Sequence, residues 1–314
     1  MSIDTSPRLL RYFLAVAEEL HFGRAATRVY ISQPSLSHQI RKLEDTLGTP
    51  LFVRSSRSVQ LTAAGRTLAR EAPVALAALE QAVRLTRLAG AGIATTIRLG
   101  YTPVTSFDTL SVLLDALREV HPDFMVDARE VFSAEIPERL RAGDLDVGLA
   151  LSPQLLDGVD GELLREEPVA AVLSARHRLA AVPRIPVPEL RDETLLLFPR
   201  RLAPAYYDSI VAACDEAGFV PDICAFDEPP ISAMLPRLAG GREVGLAPAS
   251  FAEHAAKTSA GIVSRDVVDP PITAELSILW AAHDPSPAIA SVIDLARSCA
   301  QRNKWLPNNE ARVQ

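Results

Sequence analysis

Residues 32–47 hold the pattern that most limits what this chain can fold into. Ser32 is placed to cap a helix, Pro34 falls in its first turn where a missing N–H costs nothing, and Ile31 can staple onto Leu36. At 100° per residue, Leu36, Ile40, Leu43 and Leu47 lie within about 60° of one another. The spacing therefore predicts one buried stripe. Pro34, Ser35, His38, Arg41 and Lys42 gather on the opposite side, with Ser37 at the border.

The flanking segments give this helix a setting. Leu10, Phe13, Leu14 and Ala17 recur at helical spacing and predict an amphipathic first helix. A second, short helix is expected over 23–29, where Ala25 and Ala26 would let a neighbouring helix come close. A short helix, a tight connection and a helix with a polar, basic outer face form a helix-turn-helix pattern. Its last helix would enter a major groove, with Gln33, Ser35, Ser37 and His38 chemically suited to base edges. Taken alone, the segment also fits an ordinary capped surface helix. The β-like runs 51–54 and 58–61, parted by a polar turn, add a wing whose Arg54 and Arg57 would reach phosphate or the minor groove.

Charge follows the same division. Net charge is −7, yet residues 1–92 carry 12 Lys/Arg against 7 Asp/Glu, and the remaining residues 20 against 32. A basic amino-terminal segment on an acidic chain is where a nucleic-acid partner would bind. The longest apolar runs, such as Tyr12–Ala17, are far shorter than the roughly 20 residues of a membrane span. No signal-peptide pattern opens the chain, and the three cysteines Cys214, Cys224 and Cys299 form no CxxC and no even set. A reducing, cytoplasmic setting without membrane contact is the expectation.

Four blocks carry a family resemblance: Arg8–Glu19, His21–Ala26, the run Ser32-Gln-Pro-Ser-Leu-Ser-His-Gln-Ile-Arg-Lys-Leu-Glu, and Leu51–Arg54 followed by Leu61–Gly65. In order and spacing they resemble the LysR-type transcriptional regulators. The resemblance implies a winged helix-turn-helix over 1–61, with Gln33, Pro34, Ser35, Ser37, His38, Arg41, Arg54 and Arg57 toward double-stranded DNA. It implies a long linker helix that pairs with its twin in a second subunit, and assembly to a homotetramer. RNA polymerase is a further expected partner.

Thr62 is placed to cap that linker helix, expected to run to about Leu88 with Leu61, Leu68, Leu76, Leu79 and Val83 on its apolar side. Pro73 inside it predicts a kink near 69–72. Residues 89–92 read as a flexible joint, closing a linker segment 62–92. From 93 on, strand-like and helix-like segments alternate, as in parallel βαβ units. The resemblance makes this α/β part a two-lobed, periplasmic-binding-protein-like regulatory domain over 93–302. The first lobe comprises 93–166 and 268–302, the second 167–267, and a tail follows over 303–314.

Ligands of open α/β sheets bind beyond the carboxyl ends of strands, where helix N-termini favour anions. Thr102 and Val104, Ser133, and Pro199, Arg200 and Arg201 follow three such ends. By the resemblance, Thr102, Ser133 and Pro199 match effector-contacting positions; the helix ends and the paired arginines make a small organic anion the expected effector. As surface residues, the same Ser, Thr and Arg would serve as caps and solvated charges. No HExxH, GxSxG, glycine-rich phosphate loop or CxxC appears, and the six histidines lack metal-ligand spacing. No catalytic, metal or cofactor site is expected. A solute-binding sensor without a DNA role is the rival reading, and the helix-turn-helix counts against it.

Overall fold

The computed structural model describes residues 5–54, 59–90, 95–225, 234–282 and 285–306. Two compact units emerge: one built on Met1–Gly90, the other on Ala91–Leu140 and Asp144–Gln314.

In the first unit, α1 (Pro7–Glu19) starts at the cap Ser6, α2 (Phe22–Arg28) at His21 and α3 (Gln33–Leu47) at Ser32. The His21 ring accepts from the amides of Gly23 and Arg24 at 3.1 and 3.2 Å, a side-chain cap on a helix of only seven residues. Leu9, Phe13, Val16, Ala25, Ala26, Leu36, Ile40 and Leu43 make one core with Leu51 and Phe52. Ala25 and Ala26 are buried between helices, as their size requires. Leu47 departs from the predicted stripe and is 39% exposed. It lies in the last turn before Gly48, where the helix runs past this cluster.

Strands β1 (Phe52–Arg54) and β2 (Val59–Leu61) pair antiparallel, Phe52 opposite Leu61. The tip between them, including Arg57, lies outside the described residues. Helix α4 (Ala63–Gly90) runs through Pro73 and takes in Ala89 and Gly90, which the sequence reading assigned to the joint. Residues 91 and 92 lie outside the described residues.

The second unit is an α/β sheet in two halves. In the first, β3 (Thr95–Tyr101) runs parallel to β4 (Phe124–Glu130) and β5 (Val147–Leu151). Helices α5 (Thr109–Val120) and α6 (Ile136–Arg141) connect them. Strand β6 (Val159–Ser174) is the frame of the unit. Its residues 159–168 pair with β12 (Thr273–Ala281), and its residues 169–174 pair in the other half. That half contains β7 (Arg184–Pro186), the parallel set β8 (Thr194–Leu197), β9 (Asp222–Ala225) and β10 (Val244–Pro248), and β11 (Ile262–Val268). Helices α7 (Pro204–Glu216), α8 (Met234–Gly240) and α9 (Ala249–Thr258) belong to it. The chain returns through residues 269–272 to β12, and α10 (Pro287–Arg302) packs on the first half.

The strand order β4-β3-β5-β12-β6-β10-β8-β9 leaves each half its own apolar core. The two are sewn together at β6. Arg165 pairs with Asp108 at 2.5 Å and Glu167 at 3.3 Å, and stacks 5.6 Å from the Trp305 ring. Glu167 accepts from the Ser250 amide at 2.7 Å and its hydroxyl at 2.9 Å.

Candidate nucleic-acid interface and ligand cleft

Helix α3 is sharply two-sided. Leu36, Ile40 and Leu43 have no exposed surface. Gln33, Pro34, Ser35, His38, Arg41 and Lys42 are all exposed, and Ser37 is half-buried at the border. The Ser32 hydroxyl accepts from the Ser35 amide at 3.4 Å, so the cap leaves the next residues facing outward. The two arginines of α2 are engaged: Arg24 pairs with Glu19 at 3.0 Å and Arg28 with Glu18. Among the described residues Arg41 and Lys42 make no ion pair, so their charge is open to a partner.

What aims this face leaves no periodic signal in the sequence. Glu44 Oε1 accepts from the amides of Leu51 at 2.9 Å and Phe52 at 3.2 Å, tying α3 to the start of the wing. Thr62 donates its hydroxyl to Pro50 O at 2.8 Å and its amide to Leu51 O at 3.0 Å, while capping the Gly65 amide. The hairpin is thus tied to the polar helix by its own backbone amides, and Arg54 ends β1 opposite Val59. No periodicity reports such a tether, because its partners are backbone groups.

In the second unit the three strand ends behave differently from one another. Thr102 and Ser133 come together in the interior, 5% and 2% exposed. The Leu151 amide donates to Ser133 Oγ at 3.0 Å, and the Ser133 hydroxyl donates to Thr102 Oγ1 at 3.3 Å. This relay joins the ends of β3 and β5 to the segment after β4. Val104 packs against apolar clusters of the other half, including Leu197 and Phe251. Pro199 is buried and Phe198 stacks on Tyr206 at 5.9 Å. The Ala134 amide donates to Leu202 O at 3.1 Å, so the two halves meet beside Ser133. A cleft of about 80 Å³ opens there, lined by Ser133, Ser152, Gln154 and Pro204 among others. Ser152 and Gln154 lie on an irregular loop after β5, which carries no period in the sequence.

Arg200 and Arg201 are exposed. Both oxygens of Asp208 accept from Arg200, at 2.7 and 2.6 Å. That hydrogen-bonded pair lowers the Asp208 carboxyl and raises the guanidinium. The anion-favouring helix ends are also less open than expected. Pro103, Pro137 and Pro204 occupy first-turn positions and remove backbone N–H donors there. The amides of Ala134 and Glu135 are bonded to Leu202 O and Phe132 O.

The chain matches two family models. Residues 7–66 match the bacterial regulatory helix-turn-helix protein of the lysR family, and residues 90–300 match the LysR substrate binding domain. Among curated relatives, the HTH-type transcriptional regulator XapR of Escherichia coli is 32% identical over 292 residues, covering 92% of this chain and 96% of XapR. The regulator AlsR of Bacillus subtilis is 32% identical over 216 residues, 69% of this chain and 72% of AlsR. Among solved structures, full-length BenM aligns with a TM-score of 0.59 at 28% identity, covering 97% of this chain and 100% of BenM. Full-length CbnR in complex with its target DNA aligns at 0.57 and 26% identity, covering 94% and 100%. With the polar face of α3 exposed in one unit and a two-lobed α/β sheet in the other, the chain belongs to the LysR family of DNA-binding transcriptional regulators.

Proposed function

We propose that Gln33, Pro34, Ser35, Ser37, His38 and Arg41 read a dyad-symmetric promoter site through the major groove, with Arg54 and Arg57 of the wing on phosphate or in the minor groove. The observation that carries this is the division of α3: Leu36, Ile40 and Leu43 fully buried, Pro34, Ser35, His38 and Arg41 exposed. Helix α4 pairs with its twin, and the dimer doubles to a tetramer. Leu79 and Val83, each 43% exposed on one chain, support that pairing. The protein works in the cytoplasm, with RNA polymerase as a further partner. No helix among the described residues is long and apolar enough to cross a membrane.

The effector is a small organic anion held between the lobes by Thr102, Val104, Ser133, Pro199, Arg200 and Arg201. The arginines supply its countercharge, Arg200 by turning from Asp208 to the effector. Effector binding closes the cleft, and differential affinity for two lobe arrangements re-spaces the DNA-binding heads.

The test is a gel shift of the full chain on its own upstream DNA across a salt series. Arg41→Ala and Arg54→Ala should each weaken binding and flatten the log–log salt dependence by about one unit of slope. Unchanged affinity in both would reject the interface. For the cleft, a thermal-shift panel should show stabilisation by small carboxylates that Arg200→Ala reduces; stabilisation only by neutral compounds would reject the anion.

A further inference from the structure

Tyr30, between α2 and α3, is 95% exposed and has its backbone in the left-handed region, at φ 57°. Its amide donates to Thr27 O at 3.2 Å, and the next amide, of Ile31, donates to Ala26 O at 3.1 Å. These paired bonds close α2 as a Schellman turn, whose left-handed position belongs ordinarily to glycine or asparagine because a Cβ crowds the carbonyl there. Helix α3 ends on glycine at its equivalent point, Gly48, at φ 67°. Leu20, which ends α1 at φ 45°, is 46% exposed and so packs about half of its surface. Tyr30 recovers nothing of the kind. Its backbone is strained and its ring lies in solvent, so neither folding nor packing accounts for a tyrosine.

Its place in the chain does. Tyr30 stands two residues before the Ser32 cap and three before Gln33, the first residue of the exposed face of α3. A phenol offers a hydroxyl donor for a phosphate oxygen and an apolar ring that covers deoxyribose. We propose that Tyr30 is part of the DNA interface and grips the sugar–phosphate wall beside the bases that α3 reads. This inference rests on the reading of α3 as the recognition helix. The contact is neutral: it adds affinity without releasing a counterion, and it carries no base preference.

The experiment uses the full chain and its upstream duplex, with Tyr30→Gly, Tyr30→Asn, Tyr30→Phe and Arg41→Ala. Tyr30→Gly should raise the Tm of the amino-terminal unit by about 2–4 °C, since relief of the left-handed strain outweighs the greater unfolded-state entropy of glycine. The same variant should raise the Kd for DNA about tenfold, the worth of a hydrogen bond to a charged group. That loss should be equal for cognate and scrambled duplexes, with the salt slope unchanged. Tyr30→Asn should behave alike, and Tyr30→Phe, which lacks the hydroxyl, should show most of the same loss. Unchanged Kd in Tyr30→Gly and Tyr30→Asn, with Arg41→Ala weakened, overturns the proposal and leaves the recognition helix standing. No effect in any variant overturns the recognition helix itself. A fall in Tm on Tyr30→Gly, or normal DNA affinity with lost transcription, also overturns the proposal, giving the ring to the fold or to a protein partner.

Discussion

A carboxylate oxygen of Glu44 accepts the backbone N–H of Leu51 at 2.9 Å, so the last polar turn of α3 holds the entrance to the wing. The same oxygen takes the Phe52 amide at 3.2 Å. Glu44→Ala leaves two partly buried donors without that acceptor, which costs about 2 kcal/mol. Chemical denaturation should show this loss. Glu44→Gln keeps one acceptor oxygen and should recover about half. Equal stability for the wild type and Glu44→Ala would mean the tether does not form.

Gly65 lies against the carbonyl of the same Leu51. A Cβ built on Gly65 would stand 2.1 Å from that oxygen, and 2.9 Å from Leu61 Cδ2. In an exposed helix, Gly→Ala stabilises by about 1 kcal/mol. Here the sign should reverse: Gly65→Ala destabilises by about 2–3 kcal/mol, since a backbone oxygen cannot turn aside. A raised Tm in that variant would contradict the close approach of α4 to the wing.

Arg165 joins Asp108 to Glu167 where β6 passes between the halves of its sheet, with its side chain 13% exposed. Between a surface pair and a buried one, Arg165→Ala should cost about 2 kcal/mol. Hydrogen exchange should rise at the start of α9, where Ser250 bonds Glu167, as well as at Asp108. Exchange confined to Asp108 would show that the network does not couple the halves.

Cys214 and Cys299 are fully buried, while Cys224 is half-buried with the Arg237 guanidinium 3.0 Å from its Sγ. Burial pushes the Cys214 thiol up to about 11. In the unfolded chain a thiol ionises near 8.5. Because the folded state holds its proton longer, the stability from Cys214 is complete below the unfolded value and is lost as pH rises toward 11. Native alkylation read by mass spectrometry should mark Cys224 first. Cys214→Ala should flatten the alkaline fall in stability; an unchanged alkaline limb would remove Cys214 as its source.

The relay between Ser133 and Thr102 gives the cleft a test of its own. Ser133→Ala removes the acceptor for the Leu151 amide, a buried group, and should lower Tm modestly while abolishing the thermal shift given by an effective carboxylate. Retained ligand stabilisation in that variant would place the binding site elsewhere.

The amino-terminal unit was readable from residues alone because its determinants are local. Ser32 lies three residues before the amide it caps, Leu36 to Leu43 recur at helical spacing, and Ala25-Ala26 announces a close helix contact. The alternation of strands and helices in the second unit was legible for the same reason. Its strand ends were not. Ser133 meets Thr102 across 31 residues, Arg165 meets Asp108 across 57, and Ser250 meets Glu167 across 83. Only the folded sheet brings those atoms within hydrogen-bonding distance, and only it reveals that Arg200 answers Asp208 and that Leu47 lies beyond the core. Periodicity and capping act within a few residues of chain, so they set which helices and strands form. The partner of each polar group depends on which distant segments share an edge, and that was decided in three dimensions.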